Sequence, residues 1–211
     1  MPRYKLTVAY DGTDFHGWQK QEPPDPSAPK PAPGHEPQRI QLRTVQHVLE
    51  QAVREVVREP LTLMGASRTD SGVHANGQVA SFMSNPEPDK GVGWPAERGC
   101  DQLIRALNGR LPRDVLVRDA CVVHDDFNPI GDAVEKEYCY TMVSGDTRPL
   151  WDRRMCSIPG TPWTPRRWPA PPGSWRASTT SRPSPRSPTG ARPPSARSIP
   201  VLSRTPSPTR S

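Results

Sequence analysis

Hydrophobic and polar positions alternate strictly near the start of the chain, with Tyr4, Leu6, Val8 and Tyr10 on one side and Lys5, Thr7 and Ala9 on the other. A period of two predicts a strand with one buried face, and Asp11-Gly12-Thr13 ends it with a turn. From Thr44 the period changes. Val45, Val48, Leu49, Ala52, Val53, Val56 and Val57 recur at helical spacing, with Thr44 as the N-cap and Pro60 just past the end. Strands are expected over 61–65 and 77–82, the latter placing Gln78, Ala80 and Phe82 on one face and Val79 and Ser81 on the other. A second helix is expected over 102–107, with further strands over 115–123 and 137–143. Strand, helix, strand, strand, helix, strand, strand is an α+β plan: a mainly antiparallel sheet with helices on one face.

Two stretches break this pattern. Residues 22–38, EPPDPSAPKPAPGHEPQ, form a Pro-rich insertion, expected to be extended and mobile because nothing in it can build a core. Beyond Gly160 the chain is rich in Arg, Pro and Ser and contains no Asp, Glu or Lys. Its nine arginines give +9, so the net +6 of the whole leaves the first 160 residues at −3. The sequence pI of 9.5 is therefore a property of the tail and says little about what the folded part binds. The expected organisation is a folded part over 1–160 and an irregular, disordered tail over 161–211.

Cys100, Cys121, Cys139 and Cys156 show no C-x-x-C spacing and read as reduced thiols in or near the core. No apolar run reaches the roughly 18 residues needed to cross a membrane. MPRYKLTVAY lacks the apolar segment of a signal peptide, so a cytoplasmic location is expected.

The chemistry concentrates in ASRTDSGVHANGQVASF, residues 66–82. In Arg68-Thr69-Asp70 a carboxylate stands two residues from a guanidinium, in a loop between two strands. A charge-assisted pair could hold that carboxylate ionised and aimed, as a nucleophile requires. Thr-Asp-Ser-Gly is also an ordinary turn, and spacing alone favours that reading.

The run from Gly65 to Ala75, GASRTDSGVHA, followed by Gly77-Gln78-Val79, resembles the signature loop of the TruA family of tRNA pseudouridine synthases. Tyr10-Asp11-Gly12, Phe15-His16-Gly17-Trp18-Gln19, Thr44-Val45-Gln46, Leu107-Asn108 with Leu111-Pro112, and Asp126-Phe127 with Tyr138-Cys139-Tyr140 follow in the family's order. The resemblance covers Tyr4 to about Ile158. It implies the pseudouridine synthase I type of α+β fold and isomerisation of uridines in the anticodon stem-loop of tRNA, without metal or cofactor. A homodimer is also implied, with much of the subunit contact made by a second half of the catalytic domain that this chain does not show after Gly160. By position Asp70 is the catalytic residue, Arg68 its orienting partner and a contact of the flipped nucleotide, and Tyr138 the residue stacked on the target base.

Bland readings stand beside these. Tyr138 alternates with Tyr140, and on pattern alone one of the two is core. His74 reads as loop scaffold rather than as a general base, while Trp18 and Gln19 fit equally well lining a nucleic-acid cleft or capping the sheet. One position departs from the family: Ile130 stands where an Arg is usual, three residues after Phe127, which removes a cation that Lys136 could replace.

The tail carries a pattern of its own. Taken from one base earlier, each new codon joins the last base of one codon to the first two of the next, and residues 175–184 can then encode LAGEHDFAAF, a segment typical of the family. Residues 163–164, 168–169 and 192–198 can likewise encode family-like residues. These matches point to a one-base frame slip near Gly160. Two further readings remain: a non-catalytic RNA-binding protein that uses the Arg-rich tail, and an inactive fragment of the synthase.

Overall fold

The computed structural model describes residues 1–32, 34–143, 150–156, 180–181 and 196–201. The chain divides into two compact units, Met1–Asp132 and Ala133–Ser211.

The first unit runs β1 (Arg3–Tyr10), α1 (Val45–Val57), β2 (Met64–Gly65), β3 (Ala75–Met83), α2 (Cys100–Asn108) and β4 (Val115–Val123). Its sheet is antiparallel in the order β2-β3-β1-β4, the split βαβ arrangement. Tyr4, Leu6, Val8 and Tyr10 point to one face, where they form a single buried cluster with Leu49, Val53 and Val57 of α1 and Leu103 and Leu107 of α2. Ala80 and Phe82 of β3 join it, so the alternation expected for that strand holds. Burying side chains of this size contributes about 1.5–3 kcal/mol each.

Helix α1 starts where the cap residue predicts, with Thr44 Oγ1 accepting from His47 N at 3.4 Å. It ends on Arg58 in the left-handed region, φ 59°, a conformation its sequence does not advertise. The strand expected over 61–65 shortens to Met64–Gly65 because α1 takes the backbone before it. Arg54 donates to Leu61 O at 2.9 and 2.6 Å, Gln46 Nε2 to Leu63 O at 2.8 Å, and Leu63 N to Glu50 Oε2 at 3.2 Å. Glu50 is buried, and Lys20 at 2.8 Å and Arg54 at 2.7 Å neutralise it.

The residues of the Leu107-Asn108 motif act on β4. Asn108 closes a two-bond clamp on Val117, accepting from its N at 2.8 Å and donating to its O at 2.9 Å. The clamp sits beside a register shift between β1 and β4, where Arg118 is the extra residue.

The Pro-rich insertion is tied at its base. Asp25 N donates to Gln38 O at 2.7 Å, Ile40 N to Pro23 O at 3.0 Å and Leu42 N to Gln21 O at 3.1 Å.

In the second unit β5 (Tyr138–Val143), β6 (Thr180–Ser181) and β7 (Ala196–Val201) form an antiparallel sheet in the order β5-β7-β6. Pro200 stands opposite Cys139 and brings no N–H to that ladder. The expected boundary near Gly160 lies outside the described residues.

All four cysteines are free thiols. Cys139 corrects the expectation of near-core thiols: it is exposed, as are its neighbours Tyr138 and Tyr140 on β5. Among the described residues no helix is long and apolar enough to cross a membrane, and no cluster of His, Cys, Asp and Glu could hold a metal ion.

Candidate active site

The loop between β2 and β3 is held by the segment that follows β1. Tyr10 Oη and Thr69 Oγ1 share a hydrogen bond of 2.8 Å, and Trp18 N donates to Thr69 O at 2.9 Å. Phe15 O accepts twice, from Ser71 Oγ at 3.0 Å and Gly72 N at 3.2 Å. Gly12 N donates to His74 Nδ1 at 3.2 Å, and the same imidazole nitrogen lies 3.1 Å from Asp11 Oδ1. At the loop's root Gln78 Nε2 donates to Ser67 O at 2.6 Å. The residues on both sides of Asp70 are therefore fixed to a rigid neighbour.

Two glycines make the approach possible. A Cβ on Gly12 would collide with Val73 O, and one on Gly17, whose φ is +85°, would lie 2.6 Å from Thr69 O. Val45 and Gln46 fasten the other side, with Val45 N donating to Gly17 O at 3.1 Å and Gln46 N to Trp18 O at 2.9 Å. The separate motifs of the first half of the chain thus converge on one short loop.

Asp70 and Arg68 are exposed and line an open cleft of about 290 Å³ together with His16, Gln19, Gln21 and Leu42. Among the described residues no ion pair joins Arg68 to Asp70, in contrast to the pairing expected from sequence. The backbone bonds of Thr69 and Ser71 fix the loop without it, which leaves both charged groups free to face the cleft. Trp18 is buried, with its ring against Gly65, and belongs to the core. Gln19 lines the cleft, so the two residues that sequence could not separate have different roles. His74 ties the loop to the turn after β1.

Burial raises the Tyr10 hydroxyl pKa above the usual tyrosine value of 10.0, and its bond to Thr69 offsets part of that rise. The group therefore stays neutral and able to bond across the ordinary pH range.

Sequence reasoning missed Arg43. Its guanidinium holds Asp114 through bonds of 3.0 and 2.8 Å, lies 4.0 Å from the centre of the Phe15 ring and donates to Asp14 O at 3.3 Å. Its carbonyl accepts from His16 N at 2.9 Å. Arg43 thus clamps the turn whose Phe15 carbonyl supports Ser71 and Gly72. No local pattern signals a pair separated by 71 positions.

Tyr138 lies on β5 of the second unit and is exposed, as is Tyr140, so neither is a core residue there. Ile130 is exposed in a tight turn in which Asn128 Oδ1 accepts from Ile130 N at 2.9 Å and Asp132 Oδ2 accepts from Asn128 N at 2.8 Å.

No family model matches the chain. Curated relatives do. The chain is 42% identical over 149 residues to tRNA pseudouridine synthase A of Limosilactobacillus fermentum, covering 69% of this chain and 47% of the relative. It is 41% identical over 142 residues to the enzyme of that name from Nitratidesulfovibrio vulgaris, covering 67% and 40%. To tRNA pseudouridine synthase A 2 of Clostridium perfringens it is 33% identical over 154 residues, covering 72% and 51%. The chain therefore spans about half, or less, of the length of the curated relatives it matches.

Proposed function

The chain belongs to the TruA family of tRNA pseudouridine synthases, and from that premise we propose that it carries the catalytic loop of a synthase acting on uridines of the tRNA anticodon stem-loop. The observation that carries the reading is the fixed loop that presents Asp70, with Arg68 beside it, to an open cleft.

The reaction is an isomerisation. The bond from ribose C1′ to uracil N1 breaks, a bond from C1′ to C5 forms, the proton leaves C5, and N1 gains one. Nothing is oxidised or reduced. A carboxylate at Asp70 attacks the nucleotide or supports the base while it is detached. A uridine in a stem reaches such a group only by leaving its stack, and the Arg68 guanidinium holds the extruded nucleotide. Tyr138 provides the aromatic face on which the base stacks, worth about 1–3 kcal/mol. Asp70→Ala is expected to abolish tritium release from tRNA labelled at uridine C5 while leaving tRNA binding in place; release undiminished in the variant would remove Asp70 from the chemistry.

The nine arginines after Gly160, with no Asp, Glu or Lys among them, favour a second reading, in which this chain holds tRNA without completing the reaction. Wild-type binding that weakens with salt, with no tritium released, would select it. For the composition of residues 161–211 we propose the one-base frame slip near Gly160, so that these residues are out of frame and the in-frame form supplies the second half of the cleft and the homodimer contact. The gene sequence across the codons for residues 158–163 tests this: stop codons in the alternative frame would end the idea.

A further inference from the structure

At the opposite end of β1 and β3 from the Asp70 loop lies a second cleft, of about 350 Å³. It shares no lining residue with the Asp70 cleft. β1 advances about 3.3 Å per residue, so the Arg3 end stands about 23 Å along the strand from the Tyr10 end. Register places Arg3 opposite Met83, Lys5 opposite Ser81 and Met64 opposite Ser81, on the sheet face turned away from Tyr4 and Phe82.

Among the described residues, two polar groups on the lining of this cleft lack what their burial demands. Ser81 is 1% exposed, and its Oγ has no hydrogen-bond partner. The Arg3 Nε–H is also buried without a partner. Among the described residues Arg3 Nη2 meets only the thioether of Met83, at 3.0 Å, a weak acceptor. Among the described residues no carboxylate pairs with this guanidinium. Glu59 lines the cleft, but both its oxygens accept from Asn85 N, at 3.2 and 3.0 Å. Met1, Met64 and Met83 supply apolar walls. Buried donors are normally satisfied, and each exception calls for an explanation.

We infer that this cleft is a binding site for a phosphate group, which accepts from Arg3 Nε–H and the Ser81 hydroxyl at once. A tetrahedral oxyanion offers acceptor oxygens in several directions and a charge opposite to the guanidinium, and such charge-assisted bonds strengthen between low-polarity walls. The phosphate belongs either to a free small molecule or to the backbone of a bound RNA. The inference does not rest on the role proposed for Asp70, since the two clefts have no residue in common.

Inorganic phosphate titrated into the 211-residue chain and followed by calorimetry and phosphorus NMR tests it. Saturable binding is expected, weakened at least about tenfold in Arg3→Gln and about three- to tenfold in Ser81→Ala, intermediate in Arg3→Lys, and unchanged in Asp70→Ala. Circular dichroism of each variant separates lost binding from lost folding, and Ser81→Ala keeps the test readable if Arg3→Gln unfolds. Displacement of bound phosphate by excess tRNA would assign the site to an RNA backbone; retention would assign it to a small phosphate compound, and either result keeps the site. The absence of saturable binding, or equal affinity in the wild type and both Arg3→Gln and Ser81→Ala, would overturn it.

Discussion

Two loops leave the same small unit, and they are held in opposite ways. Residues 66–74 are short, polar and partly exposed, yet Thr69, Ser71, Gly72 and His74 each bond to the stretch between Tyr10 and Trp18. The described residues of the Pro-rich insertion over 22–38 are also mostly exposed, but the cross-links among them lie at the base, where Gln21, Pro23 and Asp25 meet Leu42, Ile40 and Gln38. Composition would have grouped the two together. What separates them is whether main-chain groups find partners on an element that cannot move, and that difference lets one loop aim a carboxylate while the other can only span a gap.

The comparison breaks most visibly at Gly17. Gly17→Ala adds a Cβ 2.6 Å from Thr69 O at a position with φ +85°. A destabilisation of about 3 kcal/mol is expected in urea unfolding, together with loss of tritium release. A wild-type midpoint in the variant would show that the contact yields freely.

A smaller effect sharpens the contrast. Tyr10→Phe removes one hydroxyl bond to Thr69, for an expected loss of about 0.5–1.5 kcal/mol at neutral pH. It should also change the alkaline limb. Because burial raises Tyr10 above 10.0, its contribution is full below pH 10 and is lost as pH rises through the higher folded-state value, where the unfolded chain has already ionised. The variant should lose less stability on that limb than the wild type, and parallel limbs would argue against the assignment. The least effect belongs to the insertion: replacing residues 28–36 with a short Gly-Ser linker should move stability by no more than about 0.5 kcal/mol, because loop closure depends weakly on length.

Periodicity made the strands and helices of the first unit legible, and β1, α1 and β4 lie where the alternation and the helical stripe put them. The shortened β2 was not legible, since side chains of Gln46, Glu50 and Arg54 intercept its backbone from a helix and leave no local trace. At the site, motif resemblance pointed to Asp70, Arg68 and Tyr138, whereas the reason for the flanking motifs became visible only in three dimensions. Tyr10-Asp11-Gly12 and Phe15-His16-Gly17-Trp18 are the seat of the loop that carries Asp70. Arg43 and Asp114 stayed hidden because a long-range ion pair has no period.

The seat of that loop has a consequence for when the site can form during synthesis. Its bonds join residues 56, 59 and 62 positions apart, so no local hairpin can build it; β1 must first find β3. Yet every one of these partners lies before β3 ends at Met83. On the ribosome, the bonds that seat the Asp70 loop can therefore form while everything from α2 onward is still unmade or inside the exit tunnel, and the Arg43 clamp on the Phe15 turn follows once Asp114 emerges.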